Sequence, residues 1–245
     1  MDLRLIVDPP GAGDWNMSLD EALLDQVGET GRTGSLRFYF WDQPTLSLGY
    51  FQSHRSRDRH TFSQACPLVR RSTGGGAIVH AEELTYSLVL PVRHASQVTR
   101  LYEICHQTLI AELSTRGIVA TRWGQARRGS VGDEPFLCFL RRSEDDIVIG
   151  RHKIAGSAQR RRRGGVLQHG SVLLRKTSHA PELAGIEDLS ALRIDPYELA
   201  RRWSARLGDC LGVGLCRGRP TAGEVEQAAR YRSQKFGNRQ WTHRR

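Results

Sequence analysis

Lysine is the scarce cation of this 245-residue chain. Of its 36 Lys and Arg residues only Lys153, Lys176 and Lys235 are lysines. Genomic drift toward arginine accounts for the bias, and it makes each retained lysine a candidate for a position that needs an ammonium group. Long apolar runs are absent too. None approaches the ~18–20 residues of a membrane span. The opening MDLRLIVDPPGAGDW has too short an apolar core for a signal peptide, with acids on both sides. A cytoplasmic protein with no membrane partner is expected. The five cysteines (Cys66, Cys105, Cys138, Cys210 and Cys216) form no CxxC pair and are odd in number. That pattern excludes a disulfide framework and a structural zinc site, so no metal is expected. A free thiol is by default a small buried hydrophobe, and any chemical role has to be argued one cysteine at a time.

What is present is ordinary in bulk and uneven in charge. Hydrophobic residues make up 39% and charged residues 25%, the balance of a globular domain. A domain of this length buries about 70–75% of its unfolded surface and needs no staples. The net charge of +10 points to acidic partners. The run RRRR at 160–163 could contact phosphates, yet no aromatic is interleaved to stack bases. It reads as a solvated loop or a docking patch for an acidic protein, and nucleic acid is not expected as a partner.

Periodicity supplies the elements. NMSLDEALLDQV (16–27) reads as a helix, with Ser18 and Glu21 as a capping box and Leu19, Ala22, Leu23 and Val27 on one face. SLRFYFW (35–41) and TLSLGYF (45–51) alternate like strands about a hairpin-like turn at Asp42-Gln43-Pro44. LTYSLVL (84–90) is a further strand. Residues 96–116 form a helix with Leu101, Cys105, Leu109 and Leu113 on its apolar face, stopped by Gly117. The middle is strand-rich: PFLCFL (135–140), DIVIG (146–150), KIAGSA (153–158) and GSVLL (170–174), with a tight turn at Gly150-Arg151. Helices follow over 197–211 and near 222–232. No repeat and no long linker interrupts the pattern. The expected class is α+β, a largely antiparallel or mixed sheet flanked by helices, with residues 1–245 as one domain.

One stretch stands apart: RRSTGGGAIVH at 70–80. A phosphate loop needs a lysine after its glycines, and none follows here. A dinucleotide fingerprint needs a helix, whereas AIVH reads as extended. Arg70, Arg71, Ser72 and Thr73 place donors on one side of the glycines, and Ala77, Ile78 and Val79 place apolar surface on the other. Such a loop suits a polar head group with a chain-like apolar tail running over bare backbone. A plain glycine-rich turn fits the same letters.

RRSTGGGAIVH followed by ELTYS resembles the lipoate–protein ligase and octanoyltransferase family, whose fold is shared with biotin ligases. HKIAGSAQRRRRGGVLQHGSVLL (152–174) is similar to that family's lysine-bearing segment, and NMSLDEALL with LSLGYFQS to its opening helix and strand. The likeness covers about residues 15–175, with three motifs in order. It implies the biotin/lipoate protein ligase catalytic-domain fold and one of two chemistries. Ligases make an acyl-adenylate with ATP and magnesium, and usually carry an accessory C-terminal domain. Octanoyltransferases use a cysteine and no cofactor. The ~70 residues after LQHGSVLL leave little room for an accessory domain, and PFLCFL matches the family's cysteine-bearing motif. The expected activity is therefore acyl transfer in lipoate biosynthesis. An octanoyl (or lipoyl) group would pass from acyl carrier protein to a lysine of a lipoyl-domain protein, such as the glycine cleavage H protein or a dehydrogenase E2 subunit. An ATP-dependent ligase and a non-catalytic basic binding module are the alternatives.

On this resemblance Cys138 is the nucleophile and Lys153 its catalytic partner. A thiol of pKa ~8.5 is a few per cent ionised at neutral pH, and a neighbouring ammonium would favour the thiolate and steady the developing oxyanion. Lys153 would also take part in deprotonating the acceptor lysine, a role arginine cannot fill. Arg71, Thr73, Gly74, Gly75, Gly76, His80, Gly156, Ser157 and His169 are expected around the acyl pocket. Cys105 reads as core, and Lys176 and Lys235 as surface charges. The chain departs from the octanoyltransferase pattern in two places. It reads GGGAIVHA where that group has GGRA-V-x-H-D, so a glycine replaces the arginine and Ala81 the aspartate. These departures bear on the donor and acceptor rather than on the class of reaction.

Overall fold

A computed structural model of the chain describes residues 2–30, 34–92, 95–124 and 135–245. Among them the strands are β1 (Asp2–Gly11), β2 (Ser35–Trp41), β3 (Thr45–Leu48), β4 (Leu68–Arg70), β5 (Ile78–His80), β6 (Glu83–Pro91), β7 (Thr121–Arg122), β8 (Ile147–Ile149), β9 (His152–Arg162), β10 (Gly165–Leu173) and β11 (Gly214–Arg217). The helices are α1 (Gly13–Thr30), α2 (Ala95–Ser114), α3 (Ile186–Ser190), α4 (Pro196–Leu211), α5 (Ala222–Tyr231) and α6 (Arg239–Thr242). An eight-stranded sheet has the order β11-β1-β2-β6-β10-β9-β8-β7, and a three-stranded sheet the order β4-β3-β5. In the large sheet β1 runs parallel to β2 and β11, and every other pairing is antiparallel. The expected mixed, largely antiparallel α+β architecture is what the chain adopts. No helix among the described residues is long and apolar enough to cross a membrane.

The two-residue period of the strands divides the core. Leu36 and Phe38 of β2, with Leu84, Tyr86 and Leu88 of β6, pack against Leu101, Cys105 and Leu109 of α2 and Trp203 of α4. Trp203 is fully buried and donates from Nε1 to Thr108 Oγ1 at 3.0 Å. Truncating such a side chain costs about 3–5 kcal/mol. On the other face Val89 and Leu167 meet Leu19 and Leu23 of α1 and Ala228 of α5. A separate apolar cluster under the small sheet joins Leu46, Leu48 and Val79 to Phe136, Leu137 and Phe139.

Several local expectations give way to long-range contacts. Ser18 does not cap α1, which starts at Gly13. The Ser18 hydroxyl bonds back to the Asp14 carbonyl at 2.6 Å, as serine does inside a helix. β2 and β3 are not a hairpin: Asp42-Gln43-Pro44 carries the chain from one sheet to the other, where β3 pairs with β4 and β5. PFLCFL is not a strand but a short 3₁₀ turn over Cys138–Leu140. RRRR is not a solvated loop either. Arg160 and Arg162 belong to β9 and are half-buried, with Arg160 donating to the Ser72 carbonyl at 2.8 Å and Arg162 to Glu21 at 3.0 Å.

Lys176 is exposed as expected, but Lys235 is not a surface charge. Its ammonium pairs with buried Glu21, donates to Ser72 Oγ at 3.1 Å and lies 4.3 Å from the centre of the Trp241 ring. Nearby, the buried Arg70 guanidinium donates to the carbonyls of Gly49 (2.9 Å), Gln52 (2.6 Å) and Thr242 (2.8 Å), while Trp241 Nε1 donates to the Arg70 carbonyl at 2.9 Å. The C-terminal helices thus grip the strand that leads into the glycine run.

Candidate active site

A cavity of about 500 Å³, mouth included, lies between the two sheets, within the usual range for small-molecule clefts. Its walls come from β9 and β10 on one side, and from the glycine run and the Cys138 turn on the other.

The glycine run is held from inside by Arg71. Its buried guanidinium spans the loop, donating to the Ser47 carbonyl (2.9 Å) and hydroxyl (2.6 Å) and to the carbonyls of Gly74 (3.2 Å) and Gly76 (2.8 Å). Burial pushes this guanidinium below its ordinary value, and the charge of the facing Cys138 sulfur pulls it back. Gly75 has φ of +94°, a conformation that a side chain resists, and a Cβ built on it would sit 3.9 Å from Cys138 Sγ. The cysteine is tied to the end of the same loop: Cys138 N donates to the Ala77 carbonyl at 2.7 Å, and Ala77 N to the Phe136 carbonyl at 3.0 Å.

Lys153 reaches this turn from β9. Its buried ammonium donates to the Cys138 carbonyl at 3.3 Å and to Cys138 Sγ at 3.8 Å, and pairs with Asp146 Oδ1 at 2.8 Å. The other oxygen of Asp146 accepts from the Ser143 backbone N–H at 2.7 Å. A Cβ on Gly156 would lie 2.7 Å from Lys153 Cε and 3.0 Å from Nζ, so the lysine occupies space that only glycine leaves open.

Two histidines line the cavity, each saturated by neighbours. His80 stacks on Trp41, with ring centroids 3.8 Å apart. It bonds Ser47 Oγ through Nε2 and Glu83 through Nδ1, both at 2.6 Å. Because the Glu83 carboxylate only accepts, Nδ1 carries the hydrogen, and in the neutral ring the Ser47 hydroxyl donates to Nε2. Burial pushes His80 below its ordinary value. Burial alone would raise Glu83, but His80 and the hydroxyls of Ser171 and Thr85 hold it below the usual carboxylate value. His169 bonds Thr73 Oγ1 at 2.7 Å and faces Asp20 at 3.5 Å. Asp20 is buried, yet His169 and the Arg37 guanidinium at 2.8 Å outweigh that burial and keep its carboxyl low.

Of the residues singled out from sequence, Arg71, Gly74, Gly75, His80, Cys138, Lys153, Gly156, Ser157 and His169 line the cavity. Thr73 and Gly76 stand one layer back. Thr73 fixes His169, and a Cβ on Gly76 would come within 3.0 Å of Cys138 N, so Gly76 admits the cysteine turn. Sequence reasoning missed Met17, Tyr39, Thr85, Phe139 and Ala158 on the walls, and above all Asp146, the ion partner of Lys153. The only signal for Asp146 was its place at the head of the expected strand DIVIG, last of three successive acids. Cys138 is the one cysteine on the cavity. Cys66 and Cys105 are buried, with burial pushing the Cys105 thiol to about 12, and Cys210 and Cys216 are exposed. Among the described residues no cluster of three or more His, Cys, Asp or Glu side chains is arranged to hold a metal ion.

Comparison with known proteins fits this arrangement. The family model described as lipoyl protein ligase A/B catalytic domain matches residues 13–184. Octanoyltransferase LipM of Geobacillus kaustophilus is 37% identical over 169 residues, a match covering 65% of this chain and 61% of the relative, so the chain spans about three-fifths of that relative's length. A putative lipoate protein ligase of Thermoplasma acidophilum, solved with bound lipoic acid, superposes with a TM-score of 0.81 at 23% identity over 100% of both chains. A second structure from that organism is described as a bipartite lipoate protein ligase and its E2 lipoyl domain. It gives a TM-score of 0.77 at 21% identity, covering 99% of this chain and 96% of that one. At these identities the structural likeness establishes the lipoate–protein ligase fold.

Proposed function

The chain belongs to the lipoyl protein ligase A/B catalytic-domain family, and from that premise we propose that it is an octanoyltransferase of lipoate biosynthesis working through a thioester on Cys138. The observation that carries this reading is the approach of Lys153 Nζ to Cys138 Sγ, 3.8 Å, on the wall of a largely apolar cavity. A relative with an octanoyltransferase name supports the choice of acyl group.

In the first half-reaction Cys138 Sγ attacks the thioester carbonyl of an acyl carrier protein, and the carrier thiol leaves. The Lys153 ammonium is the counter-charge for the thiolate, and with the backbone of Gly74–Gly76 and Gly156 it faces the oxyanion of the tetrahedral intermediate. One such donor contributes about 3–4 kcal/mol. The acyl chain lies over Gly74, Gly75, Met17, Ile78 and Phe139. In the second half-reaction the amine of a lipoyl-domain lysine attacks the Cys138 thioester, forming the amide and releasing the thiolate. The neighbour described with an E2 lipoyl domain supports that class of acceptor, the glycine cleavage H protein being another of the same kind.

Because the thioester is already activated, the reaction requires no ATP, metal or other cofactor. A nucleophilic thiol works in its reduced form, which suits a cytoplasmic setting. Residues 1–245 act in this reading as one catalytic domain, the C-terminal strand β11 pairing with the N-terminal β1.

Intact-protein mass spectrometry after mixing with octanoyl-acyl carrier protein tests the reading. An octanoyl adduct labile to hydroxylamine is expected, and it should be absent in Cys138→Ser. Turnover that requires ATP and free lipoate and survives Cys138→Ala would overturn the reading in favour of a ligase. No adduct and no turnover with either donor would leave only a binding module.

A further inference from the structure

With its nitrogen ion-paired to Asp146, Lys153 serves as a counter-charge and donor, and the proton of the attacking amine needs another acceptor. His80 is closed off on both nitrogens, its Nε2 side ending on the Arg71 cation. His169 lines the cavity, but both its nitrogens are engaged, Nε2 with Thr73 Oγ1 at 2.7 Å and Nδ1 with the Asp20 carboxylate at 3.5 Å. One further histidine is connected to the cavity, through a hydroxyl that does line it.

His106 on α2 is buried, with Nδ1 2.5 Å from the Asp145 carbonyl and Nε2 2.6 Å from Ser157 Oγ. A carbonyl can only accept, so Nδ1 carries the hydrogen and Nε2 is the acceptor. Gln168 Nε2 donates to Tyr86 OH at 2.9 Å, and Tyr86 OH stands 2.7 Å from Ser157 Oγ. The donors therefore run in one direction, from Gln168 through Tyr86 and Ser157 to His106. Ser157 Oγ accepts once and donates once within the protein, which leaves one lone pair for a ligand in the cavity. An imidazolium at His106 would be attracted by the carboxylates of Asp145 and Asp146, while Arg122 opposes it. The ring of Tyr102, on the same helix, meets it edge to face at 6.2 Å.

We propose that Ser157 and His106 form the proton relay of the second half-reaction, a reading that rests on the Cys138 acyl-enzyme described above. As the acceptor nitrogen bonds to the thioester carbon and the C–S bond breaks, an N–H proton passes to Ser157 Oγ. The serine's own proton moves to His106 Nε2, and the sulfur leaves as a thiolate beside Lys153. After the amide departs, the imidazolium proton returns along the same path to water entering the cavity. Ser157 touches the reacting amine, and His106 acts through it.

The test separates the two half-reactions by single-turnover mass spectrometry, with octanoyl-N-acetylcysteamine as acyl donor and a lysine-bearing lipoyl domain as acceptor. His106→Gln keeps both hydrogen bonds but cannot take a proton, and Ser157→Ala interrupts the path at the cavity. In both, the acyl-enzyme is expected to accumulate while its discharge to the acceptor slows about 100-fold. Ser157→Thr, which retains the hydroxyl, should restore most of that rate. Where His106→Gln fails to fold, the serine pair carries the test alone. Discharge at the wild-type rate in Ser157→Ala would overturn the relay, as would equal slowing of acylation and discharge, the behaviour of a mere wall residue. A wild-type enzyme that forms no Cys138 adduct would instead overturn the acyl-enzyme reading, and the relay with it.

Discussion

Replacing Gly156 by alanine should disable the site while adding one methyl group. The new Cβ would stand 2.7 Å from Lys153 Cε, 3.0 Å from Nζ and 3.1 Å from Asp146 Oδ1. Gly156 is fixed in β9 opposite Ser171 of β10, so the end of the lysine side chain has to yield. An ordinary contact begins at 3.4 Å, and 3.4 minus 2.7 requires a retreat of at least 0.7 Å. Moved that far from Asp146, the 2.8 Å pair exceeds the ~3.2 Å limit of a good hydrogen bond, and the ammonium leaves its place beside Sγ. A misplacement on the order of 1 Å costs about 100-fold in rate, or about 2.7 kcal/mol. Overpacking adds about 1–3 kcal/mol of destabilisation, which at about 2–4 °C per kcal/mol for a chain of this size lowers Tm by roughly 2–12 °C. The assay is the rate of Cys138 octanoylation under single-turnover conditions, with a melting curve alongside. Gly74→Ala is the contrast: a Cβ there meets nothing within 4 Å, and stability should not change. Wild-type acylation by Gly156→Ala would refute the role given to Lys153, whatever its melting temperature.

Other consequences are open to simpler measurements. Lys153→Arg conserves charge but brings a planar fork into space bounded by Gly156 and Asp146. Acylation should fall about 100-fold, and near-normal rates would sink the argument for an ammonium. Burial holds His80 and His106 below the ordinary histidine value. As pH falls through about 6.5 the unfolded chain takes up these protons and the native chain does not. Stability should therefore be full above pH ~7 and fall toward pH 5, by up to about 1.4 kcal/mol per pH unit per histidine. A flat urea-denaturation profile over that range would contradict the neutral assignments. Lys235→Met removes one of the three partners of buried Glu21, and urea denaturation should show a loss of about 1–3 kcal/mol. A change under about 0.5 kcal/mol would return Lys235 to the surface charges.

Strong local periodicity made the long elements legible. The strands at 35–41 and 84–90 and the helices over 96–116 and 197–211 lie within a residue or two of their expected places. What failed depended on partners distant in sequence. Nothing in Asp42-Gln43-Pro44 says that β3 joins β4 and β5 rather than β2, because that choice is made by the apolar cluster Leu46 and Leu48 enter. The turn at Cys138 is imposed by bonds to Ala77, sixty-one positions earlier. Cys138 and Lys153 were found through motif order and family resemblance, and folding brings them together. Asp146 gave no local sign, since an acid becomes a buried ion partner only once β8 and β9 are paired.

The match to the family model ends at residue 184, but the folding unit does not. Trp203 sits in the main core, β11 pairs with β1, and the Thr242 carbonyl accepts from Arg70 while Trp241 donates to the Arg70 carbonyl, one residue before the arginine that braces the glycine loop. A gene fragment trimmed to residues 13–184 would therefore contain every proposed reacting group and lose parts that hold them in place. The proposed activity is not expected to be portable as a short module. When variants are shuffled or grafted among relatives, the stretch from 185 to 245 has to travel with the motifs it supports.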